Sequence, residues 1–147
     1  MWFIDIYTDW CGWCKRMDAT TFKDSLIIEE INENYYAVKF DGEQKEDLIV
    51  GDSTYSYVPN GRRGYHEFGA LLMNGRMSYP TYVFLQENKQ VLTAVPGYKP
   101  REDMLPILRY CSDYDPNNSV GYQSYMESYE SPYSQEETEE VEETEEQ

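Results

Sequence analysis

The sequence predicts an α/β domain in which a mixed central sheet carries helices on both faces. Three observations lead there. Strand-like and helix-like stretches alternate from Trp2 to Asp41, two apolar runs joined by a polar turn lie between Thr81 and Val95, and a helix opened by Pro100 closes the order. A strand-helix-strand unit returns its second strand parallel to the first, whereas a tight hairpin is antiparallel, so one sheet containing both is mixed.

Trp2 to Tyr7 is dense in aromatic and β-branched residues and runs into Thr8-Asp9-Trp10-Cys11, which reads as a buried strand ending in a short loop. From Gly12 onward Met17, Phe22, Leu26, Ile27 and Ile31 recur near helical spacing. A break is expected at Thr20-Thr21, whose branched side chains suit a helix interior poorly. Tyr35 to Asp41 alternates as a second strand. The stretch from Gly42 to Gly61 carries glycines and charges without periodicity and reads as an irregular excursion. Tyr65 to Met73 reads as a helix with Tyr65, Phe68, Leu71 and Leu72 on one side. Thr81 to Leu85, the turn Glu87-Asn88-Lys89-Gln90, and Val91 to Val95 form the hairpin. Met104, Leu105 and Leu108 of the last helix can then cover the sheet.

The 147 residues carry a formal net charge of −16, unevenly spread. Twelve of the 28 acidic residues and none of the 12 basic ones lie from Asp113 onward, which leaves 16 acidic against 12 basic residues in the first 112. The expected organisation is one domain over 1–112 and a disordered, Tyr- and Glu-rich acidic tail over 113–147, where self-repulsion and few apolar groups oppose ordering. Tyr122, Tyr125, Tyr129 and Tyr133 of that tail could meet a partner, but a solubilising role is the simpler reading. Excess negative charge in the body argues against nucleic acid and against an anionic membrane surface. No run approaches the ~20 apolar residues of a membrane helix, and the first residues lack the basic region and cleavage site of a signal peptide. A soluble monomer is expected.

Chemistry concentrates in Trp10-Cys11-Gly12-Trp13-Cys14-Lys15, where the first strand hands over to the first helix. A cysteine at a helix N-terminus faces unpaired backbone N–H groups and the positive end of the helix dipole. Both favour thiolate over thiol, so Cys11 is the expected nucleophile. Cys14, about one turn on, is placed to attack a mixed disulfide at Cys11 and release the partner. Three cysteines are too few for a secreted disulfide framework. A structural zinc site needs four ligands, and beyond the pair only Cys111 and His66 remain, at no metal spacing; that reading is disfavoured, and neither metal nor cofactor is expected. Cys111, among Ile107, Leu108 and Tyr110, reads as a small core or boundary residue. His66 reads as a surface or capping residue. Arg62-Arg63 reads as a solvated turn, with docking of an acidic partner as the other possibility.

By these residues the chain resembles the thioredoxin family from Trp2 to Tyr110. Phe3-Ile4-Asp5-Ile6-Tyr7-Thr8-Asp9-Trp10-Cys11 looks like that family's central strand, in which a buried aspartate precedes the nucleophilic cysteine by six positions. Asp5 stands there, and the resemblance implies a desolvated carboxyl of raised pKa that shuttles the proton Cys14 must lose. Lys39 matches the lysine that family members place near this aspartate. Tyr79-Pro80-Thr81 resembles the family's cis-proline segment opposite the dithiol, where the backbone of Tyr79 would pair with a substrate strand. Gly97 matches a glycine that lets partners approach the dithiol. Trp10, Gly12 and Trp13 complete the motif, and because Trp13 stands where thioredoxin has proline, the direction of electron flow is left open.

The resemblance therefore implies a thioredoxin fold and a thiol-disulfide oxidoreductase that reduces disulfides in protein substrates, fed by an electron-donor reductase. The family's usual first strand and helix are not found before Trp2, so either the fold is pared down or Met1 is an internal start. Gly61-Arg62-Arg63-Gly64-Tyr65-His66-Glu67 through Met77-Ser78-Tyr79-Pro80 look like thioredoxin-like proteins exported to the bacterial cell envelope. That implies a periplasmic or envelope location, with cytoplasm the alternative. The competing function is a non-catalytic thioredoxin-fold docking module with idle or locked cysteines, against which intact Cys11, Cys14, Asp5 and Pro80 speak together.

Overall fold

The computed structural model describes residues 1–135. Strand β1 (Trp2–Tyr7) lies inside a four-stranded sheet of order β2-β1-β7-β8, with β2 (Tyr36–Asp41) parallel to it and β7 (Thr81–Leu85) and β8 (Val91–Pro96) antiparallel. Its residues are buried on both faces, which is why it reads as a nearly continuous apolar run rather than as an alternation.

Alternation along β1 sorts the core into two layers. Phe3 points to one face with its cross-strand neighbour Phe84 and with Tyr82, onto whose ring it stacks at 5.6 Å. Against these pack Met17 of helix α1 (Gly12–Ala19), Ile27 of α2 (Ser25–Asn34), and Met104, Leu105 and Leu108 of α4 (Arg101–Ser112). Ile4 and Ile6 point the other way, where Val83, Leu85 and Phe40 meet Leu72 of α3 (Glu67–Leu72) and the adjoining Met73.

The break between the first two helices falls at Thr20-Thr21, as expected. Thr20 Oγ1 donates back to the Arg16 carbonyl at 2.6 Å, ending α1, and Thr21 Oγ1 donates across to the Lys99 carbonyl at 2.6 Å. A short 3-10 turn, Thr21–Lys23, leads to Asp24, whose carboxylate accepts from the N–H groups of Leu26 and Ile27 and caps α2.

Three expectations are corrected. The excursion after β2 is not irregular: it folds into two hairpins, β3 (Leu48–Val50) with β4 (Ser53–Tyr55), and β5 (Tyr57–Asn60) with β6 (Arg63–His66). Pairs this short carry too little alternation to be seen as a period. Helix α3 begins at Glu67 rather than Tyr65, because β6 runs through His66, and Leu71 faces solvent while Leu72 is buried.

The third correction concerns the acidic tail, whose expected disorder does not hold for residues 113–135. There helix α5 (Tyr122–Ser128) forms and Tyr133, 3% exposed, joins the main core. Tyr133 Oη donates to Asp24 Oδ1 at 2.7 Å, and the Arg101 guanidinium lies over its ring at 4.3 Å. Of the four tyrosines read as part of a solubilising tail, Tyr133 is an anchor and Tyr122, Tyr125 and Tyr129 stack on Tyr110 or on each other. The remainder of that expectation, 136–147, lies outside the described residues.

Candidate active site

The end of β1 and the start of α1 place the cysteine pair. Cys11 is the N-cap of α1, and its Sγ accepts from the backbone N–H of Cys14 at 3.0 Å, the contact that stabilises negative charge on sulfur at a helix start. The two residues are joined as a disulfide with Cα atoms 5.3 Å apart. Gly12 has open space where a side chain would stand, so no steric demand fixes glycine there.

Asp5 lies on β1, six positions before Cys11, on the face that carries Asp18 and Phe22, with Tyr82 across the strand pair. Burial raises its carboxyl pKa from 3.8 to about 6; the Lys39 ammonium, 3.8 Å from Oδ2, opposes the shift, and the Asp18 charge adds to it. Lys39 is shared with Asp18, at 2.9 Å, and these two charges raise the lysine's own pKa against the desolvation that would lower it. The Asp5 Oδ1 has no hydrogen-bond partner among the described residues, and neither does the buried Tyr82 hydroxyl. A cavity of about 190 Å³ lined by Asp5, Asp18, Lys39, Phe22 and Val38 opens onto this group. Asp5 can therefore exchange a proton with solvent through that opening while the sheet keeps it desolvated.

Around the cysteines stand two aromatic walls. Trp10 and Trp13 are both exposed. Trp10 Nε1 donates to Glu43 Oε2 at 3.0 Å, its ring meets Tyr79 edge-on at 5.9 Å, and the Arg63 guanidinium lies 4.0 Å from its centre. Trp13 rests against Tyr98 at 5.4 Å. The Tyr79–Pro80 peptide bond is cis, and the Gly97 N–H donates to the Pro80 carbonyl at 2.8 Å from a backbone with φ of 90°, which favours glycine. Gly42 is needed for a different reason: a Cβ there would lie 2.6 Å from the Tyr79 ring.

Arg63 was read as a solvated turn residue, yet β6 carries it onto Trp10. Glu43, Tyr98 and Asp18 were not singled out at all, since each is an ordinary polar or aromatic loop or helix residue until the fold brings it to Trp10, Trp13 or Lys39. His66 is a capping residue, its Nδ1 accepting from the Phe68 N–H, but it is fully buried rather than at the surface, with Nε2 donating to the Glu46 carbonyl at 2.9 Å. Cys111 is buried in the main core, and desolvation pushes its thiol up to about 12, far from a reactive thiolate. Among the described residues no group of three or more His, Cys, Asp or Glu gathers as metal ligands, and no helix is long and apolar enough to cross a membrane.

A family model described as a thioredoxin-like domain matches residues 2–112. Among solved structures the chain is similar to a thioredoxin-fold protein from Helicobacter pylori, at 16% identity and a TM-score of 0.61, over 85% of this chain and 76% of that one. It is also similar to a thioredoxin from Thermus thermophilus, at 16% identity and 0.49 over 73% and 69%. The C-terminal domain of DsbD from Neisseria meningitidis in its reduced form follows, at 15% identity and 0.48 over 74% and 77%. At 16% identity the likeness to the Helicobacter pylori protein is one of fold. No curated protein matches the sequence significantly.

Proposed function

Because the chain belongs to the thioredoxin-like domain family across residues 2–112, we propose that it is a thiol-disulfide oxidoreductase that reduces disulfides in other proteins. The observation that carries this reading is the dithiol at the N-cap of α1, with Cys11 Sγ accepting the Cys14 N–H. In the reduced protein the Cys11 thiolate attacks one sulfur of a substrate cystine; a Cys11–substrate disulfide forms and the other substrate sulfur leaves as a thiolate. Cys14 then loses its proton and attacks Cys11, which breaks the mixed disulfide, releases the second substrate thiol and leaves Cys11 joined to Cys14. Two electrons have passed to the substrate.

Asp5 is the proton acceptor in this scheme. A carboxyl whose pKa is about 6 is ionised at neutral pH yet basic enough to take the Cys14 proton, and the cavity beside it returns that proton to solvent. The cis Tyr79–Pro80 segment is assigned to substrate backbone pairing and Gly97 to close approach. A partner reductase restores the dithiol. The envelope location belongs to the same reading, supported by the resemblance of Gly61 to Pro80 to exported thioredoxin-like proteins.

The test is the redox equilibrium of the Cys11/Cys14 pair in a series of glutathione buffers, read by alkylation and mass spectrometry. Reversible interconversion is expected, together with a glutathione adduct that persists on Cys11 in Cys14→Ser. A potential near roughly −270 mV fits a reductase, whereas one near roughly −120 mV makes the protein an oxidant instead. A folded protein whose pair exchanges with no buffer would overturn the enzyme reading in favour of a docking module.

A further inference from the structure

Residues Tyr57–Asn60 and Arg63–His66 pair tightly, and the turn between them places Gly61 at φ 62° and leaves Arg62 and Arg63 exposed at the tip. The Arg63 side chain folds back onto the domain rather than standing free. Its guanidinium carbon lies 4.0 Å from the centre of the Trp10 ring, the residue immediately before Cys11. A guanidinium laid on an indole face is held by the cation–π attraction while its in-plane N–H donors stay directed outward.

Among the described residues those donors have no acidic partner. Among the described residues neither Arg62 nor Arg63 takes part in an ion pair, although the chain as a whole carries a net charge of −16. Glu43, which shares Trp10 with Arg63, accepts the indole N–H instead. Trp10 also meets Tyr79, the residue before Pro80, edge-on at 5.9 Å. Guanidinium, indole and phenol thus form one wall that runs from the β5-β6 hairpin past Cys11 to the Tyr79–Pro80 backbone. An extended segment that paired with that backbone and offered a sulfur to Cys11 would lie along this wall, bringing a flanking side chain toward the guanidinium.

We propose that Arg63 is a specificity-determining residue of the dithiol site, selecting cystines flanked by an Asp or Glu carboxylate in an extended protein segment; this rests on the disulfide-exchange reading above. The planar fork of Arg63 matches a carboxylate with two parallel N–H donors. Its place on Trp10 fixes that fork before substrate arrives, so less rotamer freedom is lost on contact.

The experiment uses two peptides that differ only in a Glu or a Gln beside a single cysteine, each capped as a mixed disulfide with thionitrobenzoate. The reduced full-length protein attacks the peptide sulfur, and the coloured thionitrobenzoate thiolate leaves, giving a second-order rate constant for each peptide. Wild type should prefer the Glu peptide about fivefold at low ionic strength, the upper range for an exposed charge pair, and the preference should shrink in roughly 0.5 M salt. Arg63→Gln should bring the ratio to about one, and Arg63→Lys, which keeps the charge and loses the fork, to a value between. Lys89→Asn, the same charge change at the distant β7-β8 turn, should retain the wild-type ratio.

An unchanged ratio in Arg63→Gln overturns the proposal. So does an equal slowing of both peptides with the ratio kept, the mark of an arginine that only steadies Trp10. If wild type releases no thionitrobenzoate from either peptide, the exchange reading falls first and this assignment with it.

Discussion

Replacing Asp5 by Asn should stabilise the oxidised protein by about 3 kcal/mol at neutral and alkaline pH, and far less in acid. The carboxyl is buried on β1, where desolvation lifts its pKa from 3.8 to about 6 against the pull of Lys39. The gap between those values corresponds to about 3 kcal/mol at about 1.4 kcal/mol per pH unit. Between about pH 4 and 6 the folded protein holds a proton that the unfolded chain has already lost. Stability contributed by this site therefore falls as pH rises through that window, and the full penalty persists above it. Asn keeps the shape and removes the charge, so the variant lacks that decline. Urea unfolding of both proteins, followed by tryptophan fluorescence at about pH 4, 5, 6, 7 and 8, measures the difference directly, and titrations common to both proteins, such as that of Asp24, cancel. A difference that stays flat from about pH 4 to 8, or a variant less stable at about pH 8, would refute the argument that burial dominates at this site.

Tyr133→Ala should cost about 3 to 5 kcal/mol through the cavity it opens in the main core. Tyr133→Phe, which deletes only the hydroxyl on Asp24, should cost about 1 to 2 kcal/mol. The Phe variant should also lose part of the stability that the depressed Asp24 pKa adds above its unfolded value, so the deficit relative to wild type narrows on acidification; urea midpoints at neutral and acid pH read both effects. Thr8→Val should stabilise by about 1 kcal/mol in thermal or urea unfolding, since Thr8 is 2% exposed and its hydroxyl has no partner among the described residues. Gly42→Ala should destabilise by about 1 to 3 kcal/mol as the Tyr79 ring is pushed aside. Loss of the edge-on Tyr79 contact should shift the Trp10 emission, which fluorescence of the folded variant detects.

What the sequence made legible was whatever is local or densely apolar. Trp2–Tyr7, the Thr20-Thr21 break and the Thr81–Pro96 hairpin each carry their own signal within a few residues, and the dithiol sits where a strand meets a helix. Asp5, Lys39 and Tyr79-Pro80 entered only through resemblance, because nothing in their local pattern separates them from other strand and loop residues. The β5-β6 hairpin and Tyr133 escaped for a common reason. Arg63 meets Trp10 from more than fifty positions away, and Tyr133 meets Asp24 from 109. A charge-rich tail scattered with tyrosines has the composition of a solvated segment until one knows that a gap in the core awaits one ring.

That separation of 109 residues also sets an order of events during synthesis. At about 5 to 20 residues per second, Asp24 waits roughly 5 to 20 seconds on the ribosome before Tyr133 is even made. Every strand of the central sheet and the helix that Asp24 caps are translated before Tyr133 arrives to complete the main core. Completion of the core thus waits for a residue translated after every strand of the central sheet. A chain truncated just before Tyr133 would retain every strand of the central sheet and lack one ring of the main core.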